Sequence, residues 1–375
     1  MNQHRKGLSL FQLIDRKKFD ALAKKHGVDQ SVRSFKTWEL TQALVCSFVM
    51  RLESFREVES ALRIPDSTFG DALRSRHSEF FRELCDVVLL DIRGRSESRK
   101  CRKAIKQILA IDSSEIDVHG SLFDRPGWKK KYTVGHKASG KIHVVWNVDG
   151  QWVEDFLVTP GRRGDSPVSL NLRLSPGKMY VFDRAYNDFN FWKKIVETKS
   201  DFVTRLKDCA RYRALRKSAL RGNQDNVGVL YEGPFLSTAL SAKNSKIKLR
   251  HIIYRDPASQ KIFHFVTSDQ KESAETIAAI YKKRWAVELL FRWLKGHLDI
   301  RRLATKNPNA IRTQLAVAVL VQLLLQLKKI IDKFGGTLWE LLRAIRTDLY
   351  QQILFKHGSP DGCRWSSAVA SNSTA

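Results

Sequence analysis

The stretch YKKRWAVELLFRWLK, residues 281–295, sets Tyr281, Arg284, Glu288 and Lys295 at offsets of three, seven and fourteen. At about 100° per residue, these four fall on one narrow face of a helix. Ile280, Val287, Leu290, Phe291 and Leu294 make an adjoining apolar stripe, as on a helix lying against a core. A carboxylate is thus displayed beside three groups that seek phosphate, and the rest of the chain has to say what it is displayed for.

The chain has 375 residues, with 66 Lys plus Arg against 39 Asp plus Glu and a formal charge of +27. That length supports more than one domain and a sizeable core. Charges of both signs run along the sequence, so it reads as a folded protein with a polyanionic partner; nucleic acid fits better than a merely solvated basic surface. The five cysteines are scattered, with no CxxC or Cys/His pair at ligand spacing. This argues against zinc and against a disulfide scaffold, and suits a reducing cytoplasm. The start lacks the unbroken apolar core of a signal peptide. LAVAVLVQLLLQLKK (315–329) is interrupted by Gln322 and Gln326 and reads as a buried helix, so no membrane partner is expected.

Residues 1–92 read as helical. Ser54 with Glu57, and Thr68 with Asp71, are capping-box patterns, and the tight LRIPDS turn lies between them. These helices suit a helix-turn-helix in which STFGDALRSR presents Arg74 and Arg76, and equally suit a plain bundle. Residues 93–106 read as a basic linker. From 107 to 310 the grammar is α/β. QILAIDSSEIDV, KKYTVGHKA and KIHVVWNVDG are strand-like, with a glycine turn at 139–141. A helix at DSPVSLNLRL, a strand at KMYVFD, a helix at FNFWKKIVETK and a strand at DFVTRL complete a core with helices on both faces. The strand-rich block 208–270 reads as an inserted β subdomain, 311–356 as a C-terminal helical region, and 357–375 as a disordered tail.

Asp112 follows the apolar run ILAI and Asp183 follows MYVF, so both are expected at the ends of central strands, where an α/β sheet opens to a cleft. Glu288 comes from the later helix. Three carboxylates from separate elements can hold two Mg²⁺ ions about 3.5–4 Å apart, with Mn²⁺ as a substitute. One ion would ionise a water or 3′-hydroxyl, and the other would stabilise the leaving oxygen of an in-line phosphodiester displacement. Glu115 and Asp117 are expected on the other face of the strand, in solvent. His143 reads as a strand residue before a catalyst, and WKKKY (128–132) as a basic loop within reach of phosphate. Trp285 and Trp293 read as packing residues, with stacking on an unpaired base as the alternative.

These residues carry a resemblance. Tyr281, Arg284, Glu288 and Lys295 match the Tyr-x2-Arg-x3-Glu-x6-Lys signature of the insertion-sequence transposases often called family four, cut-and-paste enzymes of the DDE class. FDRAYND (182–188) resembles that family's Asp-Arg-Gly-Tyr segment, and AIDSSEI (110–116) its hydrophobic-Asp-Ser-Thr stretch. Residues from LFQLIDRKKFD onward resemble the helical domain that one branch carries ahead of its core, and the similarity runs over about residues 8–345.

The resemblance implies a ribonuclease-H-like catalytic core with a β insertion. An all-helical N-terminal domain precedes it and C-terminal helices follow. Asp112, Asp183 and Glu288 would be the catalytic metal ligands, and Tyr281, Arg284 and Lys295 would grip DNA phosphates. It further implies cleavage at transposon-end inverted repeats, by way of a hairpin, and joining to target double-stranded DNA. A homodimer on DNA and a bacterial, nucleoid-associated cytoplasmic location go with it. Ala185 departs from the family's glycine, so a turn needing positive φ would be strained there. Two other readings stay open: a transposase-derived DNA-binding protein that no longer does chemistry, and a host nuclease with the same core.

Overall fold

A computed structural model of the protein describes residues 10–97, 106–130, 137–207, 228–235, 247–300, 303 and 305–357. The chain divides into an α/β unit, Arg102–Ser114 with Lys141–Phe291, and a helical unit, Met1–Cys101 with Glu115–Gly140 and Arg292–Ala375.

The strands are β1 (Ile108–Val118), β2 (Ala138–Asn147), β3 (Trp152–Pro160), β4 (Met179–Phe182), β5 (Asp201–Arg205), β6 (Gly228–Pro234), β7 (Arg250–Arg255) and β8 (Ile262–Thr267). They form one sheet in the order β3-β2-β1-β4-β5-β8-β7-β6. β1, β4 and β5 are parallel, with Ile108 opposite Met179 and Met179 opposite Asp201. Alternate side chains go to opposite faces of the sheet. On one face Leu109, Ile111, Tyr180, Phe182 and Phe202 pack with Phe191, Trp192 and Ile195 of a helix at Phe189–Glu197. On the other, Ile108, Met179, Val181 and Val203 pack with Ala274, Ile277, Ala278 and Ile280 of a helix at Ala274–Lys282. The core is thus mixed α/β with a helix on each face.

Three local expectations are corrected. The described strands of the 208–270 block are not a separate β body: β8 pairs antiparallel with β5, Val203 opposite Thr267. Ile252, Phe265 and Val266 enter the same two apolar clusters as the core strands, so the block extends the sheet and covers the β5 edge. The glycine turn at 139–141 is strand, because β2 already begins at Ala138. The chain turns instead after Asn147, which accepts from the Gly150 amide at 2.8 Å, with Gln151 at φ +59°, and leads into β3, a strand the sequence reading passed over. Most of KKYTVGHKA lies outside the described residues, as do residues 98–105 of the expected linker and the tail from 358. The helix Ser78–Glu97 runs into the start of that linker.

In the helical unit, α1 (Arg16–His26), α2 (Thr37–Met50), α3 (Phe55–Leu62), α4 (Asp66–Ser75) and α5 (Ser78–Glu97) come first. The short α6 (Asp165–Ser169), α7 (Phe189–Glu197) and α8 (Ala274–Lys282) belong to the α/β unit. α9 (Trp285–His297), α10 (Pro308–Ile331) and α11 (Leu338–His357) follow. Ser54 caps α3 through the Glu57 amide, as its pattern predicts. The second box does not form, because α4 starts at Asp66 behind Pro65 and Thr68 is already inside the helix. α10 is long and apolar enough to cross a membrane, but 83% of its apolar window is buried, as in the core helix of a folded unit. It packs on α5, where the Cys85 thiol donates to the Ala316 carbonyl at 3.3 Å. Arg346 and Tyr350 of α11 donate to the carbonyls of Val49 and Met50 at the end of α2. The first and last helices, read from sequence as separate regions, therefore share one core.

Candidate active site and nucleic-acid interface

The parallel register places two of the expected carboxylates side by side. Ile111 and Phe182 are the last paired residues of β1 and β4, and Asp112 and Asp183 are the next residues on each chain segment. Adjacent strands lie about 4.8 Å apart. β1 continues to Val118, so Asp112 lies within its strand rather than at its end; it is β4 that stops, and this opens the space beside Asp112. Asp183 caps a short 3-10 turn, Arg184–Tyr186, accepting from the Arg184 amide at 2.6 Å. Ala185 sits in that turn and is not among the residues with positive φ. The strain expected from replacing glycine is therefore absent.

The signature segment departs from a single straight helix. α8 ends at Lys282, α9 begins at Trp285, and Lys283 and Arg284 form the joint. Its bonds are of the tight i to i+3 kind: Arg284 N to Tyr281 O at 3.0 Å and Val287 N to Arg284 O at 3.2 Å. Arg284, at the bend, reaches both ways. Its Nη1 donates to Asp112 Oδ2 at 3.1 Å and its Nη2 to Glu288 Oε1 at 2.5 Å. Its Nε is buried without a hydrogen-bond partner among the described residues. The stripe Ile280, Val287, Leu290, Phe291 and Leu294 is buried, as its period predicts.

Burial pushes the Asp112 carboxyl up to about 6; the Ser113 amide and Arg284 oppose this, and the neighbouring charges of Asp183 and Glu288 add to it. For Arg284, burial works against the charge, yet the bond to Glu288 and the charges around it raise its pKa. A site with three acidic groups and one shared guanidinium is one that needs positive charge.

Tyr281 is half-buried against Phe265, with ring centroids 4.9 Å apart, and burial raises its pKa. With Arg284, Trp285, Tyr254, Phe263 and Phe265 it lines a cavity of about 170 Å³. Trp285 is 50% exposed, so it is not the packing residue expected, and Leu289 one turn on is 47% exposed. Lys295 lies in the helical unit, where its Nζ donates to the Glu115 carbonyl at 2.9 Å. Glu115 and Asp117 are exposed, and Asp117 pairs with Lys130 of the basic loop. His143 is fully buried on β2 with Nε2 3.0 Å from Thr159 Oγ1, and burial lowers its pKa to about 4. Sequence reasoning passed over Asp165, which accepts from Ser113 beside Asp112, and Lys141, which donates to Asp165; single polar residues at loop and strand positions leave no periodic signal.

In the helix-turn-helix candidate, Arg76 is 8% exposed and donates to the Phe35 carbonyl at 3.0 Å, so it staples the fold instead of facing outward. Arg74 is exposed and pairs with Asp71.

Among the described residues, no three His, Cys, Asp or Glu side chains stand close enough to hold a metal ion as they are. Arg284 lies between Asp112 and Glu288. The donor set itself is all oxygen, the kind that hard divalent cations take.

Asp112 and Asp183 thus follow paired residues of adjacent parallel strands, and Glu288, from a later helix, shares Arg284 with Asp112. The chain belongs to the family described as "Transposase DDE domain", whose profile matches residues 103–324. Residues 9–67 match a domain of unknown function, DUF4372. The chain is 29% identical over 307 residues to y4zB of Sinorhizobium fredii, named as a transposase, covering 82% of this chain and 81% of that protein. It is 28% identical over 335 residues to a protein of Geobacillus stearothermophilus named as a transposase for insertion sequence element IS5377, covering 87% and 85%. A cryo-EM structure of the piggyBac transposase synaptic complex with hairpin DNA shares the fold. Its TM-score is 0.53 at 12% identity, over 97% of this chain and 84% of that one.

Proposed function

We propose that this DNA transposase is a cut-and-paste enzyme of insertion-sequence family four, with a ribonuclease-H-like core in which Asp112, Asp183 and Glu288 hold divalent cations. The observation that carries the reading is the sharing of Arg284 by Asp112 and Glu288 at 3.1 and 2.5 Å, with Asp183 at the next position in register. Acidic oxygens around one guanidinium fit two Mg²⁺ ions, or Mn²⁺, once that guanidinium turns away. Divalent ions held there would supply the charge that ionises an attacking water or 3′-hydroxyl and stabilises the leaving oxygen.

The protein's own groups do the rest. Arg284, with a buried Nε that lacks a partner among the described residues, exchanges its carboxylates for a DNA phosphate, which it meets as a planar fork. Tyr281 offers a hydroxyl and Lys295 a point charge to DNA phosphates. Trp285 and the aromatic cavity beside it offer an unstacked base a surface. Chain-wide positive charge supplies non-specific DNA affinity that falls steeply with salt. The N-terminal helices read the inverted repeats, and two chains act together as a homodimer on paired ends. Ends are cut, by way of a hairpin, and joined to target DNA in the cytoplasm, at the nucleoid.

One observation favours a second reading, a DNA-binding descendant without chemistry: no three acidic side chains are gathered as they stand among the described residues. Incubating the full chain with a duplex bearing its own element's terminus, with Mg²⁺ and then with EDTA, decides between them. The enzyme nicks the end and joins it to a second duplex only with metal. Binding without any cut sinks the enzymatic reading, and cutting without joining leaves a nuclease.

A further inference from the structure

Asp165 and Ser166, the first two residues of α6, touch both aspartate-bearing segments from the sheet face opposite Arg284. Ser113 follows Asp112 on β1, so its side chain points to the other face. There its hydroxyl donates to Asp165 Oδ1 at 2.8 Å. The backbone amide of the same Ser113 donates to Asp112 Oδ1, also at 2.8 Å. A two-bond chain thus runs from Asp165 through Ser113 to the carboxylate of Asp112. Next to it, the Ser166 hydroxyl donates to Asp188 Oδ2 at 3.1 Å, and Asp188 caps α7 directly after the turn that Asp183 opens.

Asp165 is itself held in place. Lys141 Nζ donates to its Oδ1 at 3.2 Å and also to the Arg163 carbonyl at 3.3 Å. The fully buried His143 has Nδ1 3.5 Å from the same oxygen. Lys141 and His143 both lie on β2, and His143 is bonded to Thr159 on β3, so β1, β2, β3 and α6 meet at one carboxylate. The ammonium of Lys141 answers its charge. Tyr186, in the turn after Asp183, is completely buried, and its hydroxyl lies beside Ser113 within reach of the charges of Asp165 and Asp112. A cluster this buried and this cross-linked is stiff, and stiffness is what a pair of ligands from different strands lacks by itself.

We propose that Asp165 is a positioning residue: through Ser113 it fixes the rotamer and pleat of Asp112, and through α6 it fixes the turn of Asp183, so that both carboxylates are aimed before a cation arrives. This rests on the metal reading of Asp112, Asp183 and Glu288 above. It assigns no contact between Asp165 and metal or DNA.

The test measures Mn²⁺ bound to the full chain by electron paramagnetic resonance, alongside end cleavage and end affinity. Asp165→Ala is expected to weaken Mn²⁺ binding about 10- to 100-fold, the usual effect of losing such a partner. End affinity is expected to stay within about twofold, since no DNA contact is lost. Asp165→Asn keeps an acceptor for Ser113 and is expected to recover most of the binding. Ser113→Ala removes only the hydroxyl and should fall with Asp165→Ala; it serves if the latter does not fold. Mn²⁺ affinity unchanged in Asp165→Ala or in Ser113→Ala overturns the proposal, as does Asp165→Asn behaving no better than Asp165→Ala. If Asp112→Asn binds Mn²⁺ as wild type does, the metal reading itself falls and takes this one with it, an outcome distinguishable from the others.

Discussion

Arg284 stands between Asp112 and Glu288, donating one guanidinium nitrogen to each at 3.1 and 2.5 Å. Two carboxylates brought this close in a partly buried site repel each other, and the arginine removes that repulsion. A divalent cation does the same more strongly, so arginine and metal compete for the same partners. In EDTA, Arg284→Ala should unfold more easily than wild type by about 1–3 kcal/mol, the cost of leaving buried polar partners unmatched. Mg²⁺ should narrow the gap. Thermal unfolding of both proteins with and without Mg²⁺ is the measurement; equal stabilisation of the two by metal would mean that Arg284 does not occupy the cation's place.

Glu288 tests the chemistry. Glu288→Ala should retain binding to the end duplex but lose cleavage by at least about 10³-fold, since metal-borne charge stabilisation is worth several kcal/mol at about 1.4 kcal/mol per decade. Gel shift and cleavage on one substrate separate the two effects. Retained cutting rules Glu288 out as a ligand.

Acid should loosen the metal. The Asp112 carboxyl lies near 6, against 3.8 for the free group, with burial the main cause. Between about pH 4 and 6 the folded chain therefore keeps a proton that the unfolded chain has released. This group's contribution to stability falls as pH rises through that window. A cation must displace the same proton, so Mn²⁺ affinity should climb about tenfold per unit up to about pH 6 and then level off. A titration of Mn²⁺ binding from pH 5 to 7.5 reads this directly, and a flat profile contradicts it.

Arg74, in the last turn of α4, and Arg76, directly after it, should behave differently. Arg76→Ala should lower the unfolding temperature, because its bond to the Phe35 carbonyl is buried, and leave the salt dependence of DNA binding alone. Arg74→Ala should leave stability nearly unchanged and reduce the salt slope by about one if α4 faces phosphate. Salt titrations of binding would expose an error if Arg76 alone altered the slope.

Trp285 is half exposed beside the aromatic cavity it lines. Trp285→Ala should cost about 1–3 kcal/mol of affinity for an end with an unpaired base, the worth of one stacked base. Quenching of a fluorescent adenine analogue at that position measures it, and undiminished quenching in the variant would assign the stacking elsewhere.

Much of this was legible before folding. The 3.6-residue period over 280–294 marked the buried stripe, and the runs ILAI and MYVF marked two central strands and so the aspartates that follow them. These are local signals, because burial repeats at the period of the element that is buried. What lay beyond them was non-local. No pattern within 281–295 foretold the break at Lys283–Arg284, because a joint between helices reports what each packs on. Nor did composition show that strands from 228 to 267 extend the core sheet, since pairing at an edge depends on which edge is free. Asp165 was invisible for the same reason: its meaning lies in Ser113, Lys141 and His143, which the sheet alone brings to it. Sequence determined which side chains this protein offers to chemistry; tertiary structure decided which of them meet, since contact across strands depends on register and pleat and neither is written in any one segment.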